Sequence, residues 1–225
     1  MSFSWYPVQL SIFVATIATI ITFFLGIIAV YLLIFKNFRG RAVIETFIFL
    51  PLVLPPTVIG FILIVLFGKN SPIGQALEWL IGRSIIFTIP AAVLAASVIA
   101  FPLMYQSIKT GFCSIDRTII DAAKVDGASN WQLLQRQLIP LSARAIFSGI
   151  VLSFTRAFGE FGATLMFAGN IPGHTQTIPT AIFFTIETGN MRAAWYYCII
   201  SILFSFILLF LTNDRNKTRN LTQIK

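Results

Sequence analysis

Apolar residues run along this chain in long blocks, without the strict alternation of a half-buried strand or the single stripe of a soluble helix, and the blocks set the expected elements. A bilayer core about 30 Å thick takes roughly 20 apolar residues at 1.5 Å rise each. Five blocks reach or approach that length: residues 8–35, 46–67, 85–108, 145–168 and 193–211. The first carries no charge and is too long for a signal-peptide core. It has no basic segment before it and no small-residue cleavage site behind it, so it reads as a retained span. A shorter block, 178–186, cannot cross and predicts a helix lying at the outer interface or dipping in from it. The expectation is an all-α membrane protein of about five transmembrane helices. Residues 1–212 would form one transmembrane domain, and residues 213–225 a short, polar, flexible tail.

Composition removes the soluble alternative. With 57% hydrophobic and 11% charged residues and a mean hydropathy of +0.86, too few polar groups remain to cover a water-soluble globule. The charges that do occur are placed unevenly. Lys36, Arg39 and Arg41 follow the first block, Lys109, Arg117, Lys124, Arg136 and Arg144 the third, and Arg215, Lys217, Arg219 and Lys225 the fifth. Only Lys69, Arg83 and Arg192 fall on the other side. Cytoplasmic loops carry the excess of Lys and Arg, so the pattern predicts an N-terminus outside and a C-terminus in the cytoplasm. The net charge of +8 is therefore an orientation signal. Dispersed over three loops with no recognition fold, it does not predict a nucleic-acid partner.

Candidate chemistry is sparse. Cys113 and Cys198 lack metal-ligand spacing and read as free packing residues, while His174, the only histidine, reads as a solvated loop residue. No catalytic constellation, metal site or cofactor site can be assembled. Pro51, Pro55 and Pro56 fall within the second block and Pro90 and Pro102 within the third, where each would remove a backbone donor. Each fits an ordinary packing kink, and together they fit a bundle shaped around a cavity.

The loop between the third and fourth blocks, residues 114–140, is polar yet strongly patterned. Ser114 or Asp116 can cap a first short helix, Asp126-Gly127 supplies a turn, and Ser129 with Gln132 makes a capping box that opens a second. Ala122 and Ala123 leave room for another surface to approach, and Trp131 and Leu134 offer apolar anchors at helical spacing. In the fourth block Arg156 and Glu160 stand four apart on one helix face, where a charge near the bilayer centre costs about 2.5 to 3.5 kcal/mol on insertion scales. Gly159 and Gly162 beside them permit close helix contact.

Asp121-Ala122-Ala123, three residues, Gly127, nine residues, then Gln137-Leu138-Ile139-Pro140 resembles the EAA signature of ABC importer permeases. The chain departs from that signature at Asp121, Gln137 and Ile139 and keeps both alanines, the glycine, the proline and every spacing. The resemblance implies that this segment is a cytoplasmic coupling helix docking on an ATPase subunit, with Asp121, Ala122, Ala123 and Gly127 as the coupling positions. The stretch from Leu50 to Gly60 is similar to molybdate permeases. The stretches from Arg156 to Thr164 and from Gly169 to Gly173 are similar to molybdate and sulfate permeases alike, and that from Thr175 to Ile182 is closer to molybdate.

The family resemblance implies a bacterial inner-membrane subunit carrying molybdate or tungstate by alternating access, with a sulfate permease as the alternative. Its partners would be ATPase subunits, an external substrate-binding protein and a second copy of the chain. No G-x-x-x-x-G-K-[ST] loop occurs; Gly68-Lys69-Asn70 lacks both the preceding glycine and the following hydroxyl residue, so ATP hydrolysis is expected elsewhere. On that footing Arg156 and Glu160 read first as a pair that fixes the bundle, and second as an Arg that eases an oxyanion through the pore. An ion-coupled carrier using the same two residues is a more distant alternative, since no internal repeat is evident.

Overall fold

The computed structural model describes residues 3–35 and 39–220. Among them every regular element is helical: α1 (Tyr6–Phe35), α2 (Arg41–Val53), α3 (Pro56–Phe67), α4 (Pro72–Ile81), α5 (Ile89–Cys113), α6 (Arg117–Val125) and α7 (Asn130–Leu133) come first. A π-helical turn (Leu134–Leu138) leads to α8 (Ile139–Leu141), α9 (Ala143–Phe158), α10 (Gly162–Ala168), α11 (Ile178–Glu187) and α12 (Met191–Asn220). Lys36 and Lys225 of the charge pattern lie outside the described residues.

α5 is the central helix. Within its most apolar stretch 67% of residues are buried, against 33% in α1 and 17% in α12. Ala91, Ala92, Ala95, Ala96 and Ala100 give it a smooth surface on which α1 and α9 come close, the small-residue packing that membranes favour because lipid supplies no hydrophobic drive between helices. A Cβ on Gly26 of α1 would sit 2.9 Å from Ile108 Cδ1, and one on Gly149 of α9 2.7 Å from Ser107 Cβ. The outward faces of α1 and α12 are apolar: Phe24, Ile28, Trp195, Ile202 and Phe206 are all exposed, as a surface solvated by lipid requires.

Among the described residues, three helices are long and apolar enough to cross a membrane, and the count reaches five if each of two bent pairs forms one span. The second apolar block is not the straight helix its length predicted. It is α2 and α3, which meet at an angle of 117°, because Pro55 caps α3 and Pro56 fills its first position, where neither missing N–H is needed. Pro51 lies inside α2 and Pro102 inside α5, but Pro90 stands in the first turn of α5 and disturbs nothing. The fourth block is likewise interrupted: α9 ends at Phe158 and α10 begins at Gly162. Ahead of it, a 75° bend at Ser142 separates α9 from the helical run that starts at Asn130.

α11 is too short to cross and is fixed by polar contacts. Its first backbone N–H, on Ile178, donates to Ser11 Oγ at 2.8 Å, and Thr177 with Thr180 closes a capping box. α4 was not expected from the sequence; it carries Trp79, Leu80 and Ile81 exposed, opened by Ser71 accepting from the Gly74 N–H and closed by Gly82. α12 continues to Asn220, so residues 213–220 extend a helix where a flexible tail was expected; each added residue gains a hydrogen bond once a helix is nucleated.

Candidate coupling and intramembrane sites

The segment 114–140 folds as the helical hairpin its caps encode. Asp116 Oδ1 accepts from the Thr118 N–H at 2.9 Å, and that N–H holds the exposed carboxyl below its ordinary value, keeping the cap ionised. Ser114 does not cap; its hydroxyl donates to the Gly111 carbonyl. Gly127 has φ +82° and its N–H donates to the Lys124 carbonyl at 3.0 Å. Ser129 and Gln132 bond reciprocally, Gln132 N–H to Ser129 Oγ at 3.3 Å and Ser129 N–H to Gln132 Oε1 at 2.8 Å.

Three of the four resemblance-based positions lie on the free side of this hairpin. Asp121, Ala122 and Gly127 are exposed, and Ala123 is half-buried against the bundle. Val125, 86% exposed, and Ile119 add apolar surface to α6, which has no buried residue. Leu134 differs from its expected role. It is buried with Leu133 and Leu138 against Tyr105, Ile108 and Phe112 of α5, and it is not available as an outward anchor. Trp131 remains half-exposed, its ring edge-on to Tyr31 of α1 at 6.3 Å.

Among the described residues beyond its chain neighbours, no atom lies within 4 Å of a Cβ placed on Gly127, so the glycine serves its left-handed backbone conformation and not a close approach. Gly127→Pro forces φ near −65° and deletes the bond to Lys124. It is expected to destabilise the hairpin locally by about 2 kcal/mol and to speed tryptic cleavage at Arg117, Lys124 and Arg136 at least tenfold, roughly. Limited proteolysis with intact mass readout measures this, and the thermal midpoint of the bundle is expected to stay near that of the wild type.

Arg156 and Glu160 form a pair, with Arg156 Nη1 donating to Glu160 Oε2 at 2.7 Å. Glu160 does not sit within a helix: it stands in the break between α9 and α10, its side chain 1% exposed, and its second oxygen accepts from the Ala163 N–H at 2.9 Å. One carboxylate therefore neutralises a cation at the end of α9 and satisfies one of the first free donors of α10. Arg156, 32% exposed, is committed to this partner.

Beyond the break, α10 packs on α3, the other half-length helix that follows a break. A Cβ on Gly60 would lie 2.6 Å from Met166 Cβ and 3.1 Å from Ala163 Cα, and one on Gly162 3.0 Å from Pro56 Cβ. The two short helices are thus joined backbone to backbone.

A cluster that sequence reading missed lies near the hairpin. Glu45 of α2 accepts from Arg41 Nε at 3.2 Å and Tyr105 Oη at 3.0 Å, and its other oxygen meets Lys109 Nζ at 2.9 Å. The pairs Arg41/Glu45 and Tyr105/Lys109 each have helical i,i+4 spacing, but nothing in the sequence brings α2 to α5. Cys113 is exposed and Cys198 half-buried, both free, so Cys113 is not the packing residue expected. His174 is exposed, and its carbonyl accepts from Tyr6 Oη at 3.0 Å. Among the described residues no group of His, Cys, Asp or Glu could hold a metal.

Comparison with known proteins places this arrangement. The sequence model of the family "Binding-protein-dependent transport system inner membrane component" matches residues 22–213. The chain is 52% identical over 209 residues to the putative molybdenum transport system permease protein YvgM of Bacillus subtilis, covering 93% of this chain and 92% of that one. It is 39% identical over 209 residues to the molybdenum transport system permease protein ModB of Escherichia coli K12, covering 92% and 91%. A probable sulfate transport system permease protein of Chlorokybus atmophyticus is 32% identical over 91% of this chain and 73% of its own length. A crystal structure of a bacterial ABC transporter that imports the acidic polysaccharide alginate superposes with a TM-score of 0.75 over 95% of this chain and 79% of that chain, at 14% identity, which speaks to the fold.

Proposed function

Since the chain belongs to the family of binding-protein-dependent transport system inner membrane components, we propose that it is the membrane-spanning permease subunit of an ATP-driven importer of molybdate. The observation that carries the reading is the exposed hairpin: Asp121, Ala122 and Gly127 present an accessible surface on a capped helix pair at one end of a lipid-facing bundle, with Ala123 half-buried beneath them. Such a surface suits a partner that delivers force from water. The chain then lies in the bacterial inner membrane as a multi-pass protein, N-terminus outside and C-terminus in the cytoplasm, with the basic loops facing the ATPase.

Two copies related by a two-fold axis would enclose the path, each docking one ATPase subunit through α6 and α7, while an external binding protein delivers the anion. ATP binding draws the two hairpins together and opens the path outward; hydrolysis and separation return it inward. The chain has no phosphate loop, so hydrolysis belongs to the ATPase subunits. Its moving parts are the half-helices α3 and α10, bounded by the Leu54-Pro55 and Gly159–Phe161 breaks. The pairing of Arg156 with Glu160 favours a role in holding α10 over a role as a free anion site, since a permanent strong site in the path would slow release.

Molybdate is favoured over sulfate because the molybdenum permeases resemble the chain more closely and over more of their own length. Proteoliposomes holding this chain, its ATPase and its binding protein are expected to take up radiolabelled molybdate in the presence of excess sulfate at a rate close to that without it. Abolition of uptake by sulfate would overturn the molybdate assignment in favour of the sulfate reading.

A further inference from the structure

The Glu45 cluster is built at the joint between the hairpin and the first broken helix pair. Tyr105 is fully buried and shares one apolar cluster with Leu133, Leu134 and Leu138 of the hairpin. Lys109 stands one turn further along α5, its ammonium 5.8 Å from the Tyr105 ring centroid. Glu45 receives donors from both, and from Arg41 on its own helix. A carboxylate can accept several hydrogen bonds at once, and those from charged groups are directional and strong.

Beside the cluster, α2 meets α5 through Phe49, whose ring stands edge-on to Tyr105 at 5.9 Å, and Ile48 and Phe49 pack partly buried on the same apolar cluster. No residue of α2 is buried, its main packing partner is α5, and an apolar cavity of about 990 Å³ separates Ile48 and Pro51 of α2 from Phe13 and Ile17 of α1 and Val93 and Phe101 of α5. The polar tie of α2 to α5 thus falls at Glu45, beside the Phe49–Tyr105 ring contact, while the cavity lies between the rest of the inner face of α2 and its neighbours α1 and α5. Beyond α2 comes the 117° bend, then α3, and α3 is locked to α10 at Gly60. Among the contacts described above, the cluster is the polar tie between α5 and the α2–α3 pair; α10 is tied separately, through Glu160, to α9 on the other side of the hairpin.

We propose that Glu45 is a positioning residue for transport, the pivot through which displacement of the hairpin and α5 is passed to α2 and on to α3. This rests on the permease reading given above. A pivot of this kind does not touch the anion and takes no part in hydrolysis; without it, ATP is consumed and α3 does not follow.

The test is the number of molybdate ions taken up per ATP hydrolysed in proteoliposomes containing the chain, its ATPase and its binding protein. ATP-dependent uptake by the wild-type complex is the precondition, and its failure would refute the permease reading without bearing on Glu45. Given that uptake, Glu45→Gln and Lys109→Met are each expected to lower the uptake-to-hydrolysis ratio about tenfold while hydrolysis continues, with Glu45→Asp intermediate because it keeps the charge. A wild-type ratio in Glu45→Gln and Lys109→Met would overturn the proposal. So would a loss of uptake and hydrolysis in parallel in all three variants, which is the signature of a merely structural ion pair.

Discussion

Glu160→Ala is expected to lower the thermal midpoint of the detergent-solubilised chain by roughly 5–10 °C, on a loss of about 2–3 kcal/mol. The carboxylate is buried, and its removal strands two groups at once: the Arg156 guanidinium, and the Ala163 N–H at the start of α10. The full cost of an unpaired buried charge is reduced here because Arg156 is about one-third exposed. Glu160→Gln keeps an acceptor for Ala163 and is expected to lose about half as much. The double variant Arg156→Met with Glu160→Gln removes the charge on both sides, and its midpoint is expected to return close to the wild type. Uptake by that double variant separates the roles: retained uptake assigns the pair to holding α10, and a stable but inactive protein assigns Arg156 to the anion path.

The second large effect is at the contact between the two half-helices. Gly60→Ala inserts a methyl 3.1 Å from a backbone carbon of Ala163 and 2.6 Å from Met166 Cβ, neither of which is the free end of a side chain. α3 must move away from α10, at about 1–3 kcal/mol, and the paired movement of the two half-helices is lost with it. The expected result is a molybdate uptake rate reduced about tenfold or more, with a lower midpoint. Gly159→Ala is the matched control. At φ −88° it has an ordinary backbone, and its nearest contact would be 3.6 Å, so the midpoint is expected to hold or rise slightly. Equal losses from both substitutions, measured by uptake and thermal unfolding, would show that the backbone contact at Gly60 has no special place.

These residues also mark where the sequence was legible and where it was not. The hairpin could be read because its signals are local: Asp116, Gly127, Ser129 and Gln132 each act on backbone within a few residues, and all four act as expected. The long helices α1, α5 and α12 could be read because lipid demands an uninterrupted apolar run. The breaks were only half legible. Three prolines between residues 51 and 56 announce a disturbance, but a 117° turn depends on what α3 packs against, and that partner is α10, about a hundred residues later. Leu134 shows the same limit: it faces inward because α5 supplies an apolar cluster for it, a partner that helical spacing within the loop does not encode. The Glu45 cluster was invisible because it joins residues 60 apart, and its two i,i+4 pairs look like ordinary surface neighbours until α2 meets α5. α4 was missed for a different reason: Ser71-Pro72 and Gly82 are sound start and stop signals, yet ten residues between two long blocks draw attention only as a loop.

If force from ATP enters through the hairpin at residues 114–140, wild type and Gly127→Pro must differ in reconstituted complexes with ATPase and binding protein, where radiolabelled molybdate is followed with and without ATP. Uptake is expected to require ATP in the wild type and to collapse in Gly127→Pro while the bundle stays folded. Uptake by this chain alone, driven by an ion gradient and indifferent to the Gly127 substitution, would contradict the entry of force through the hairpin.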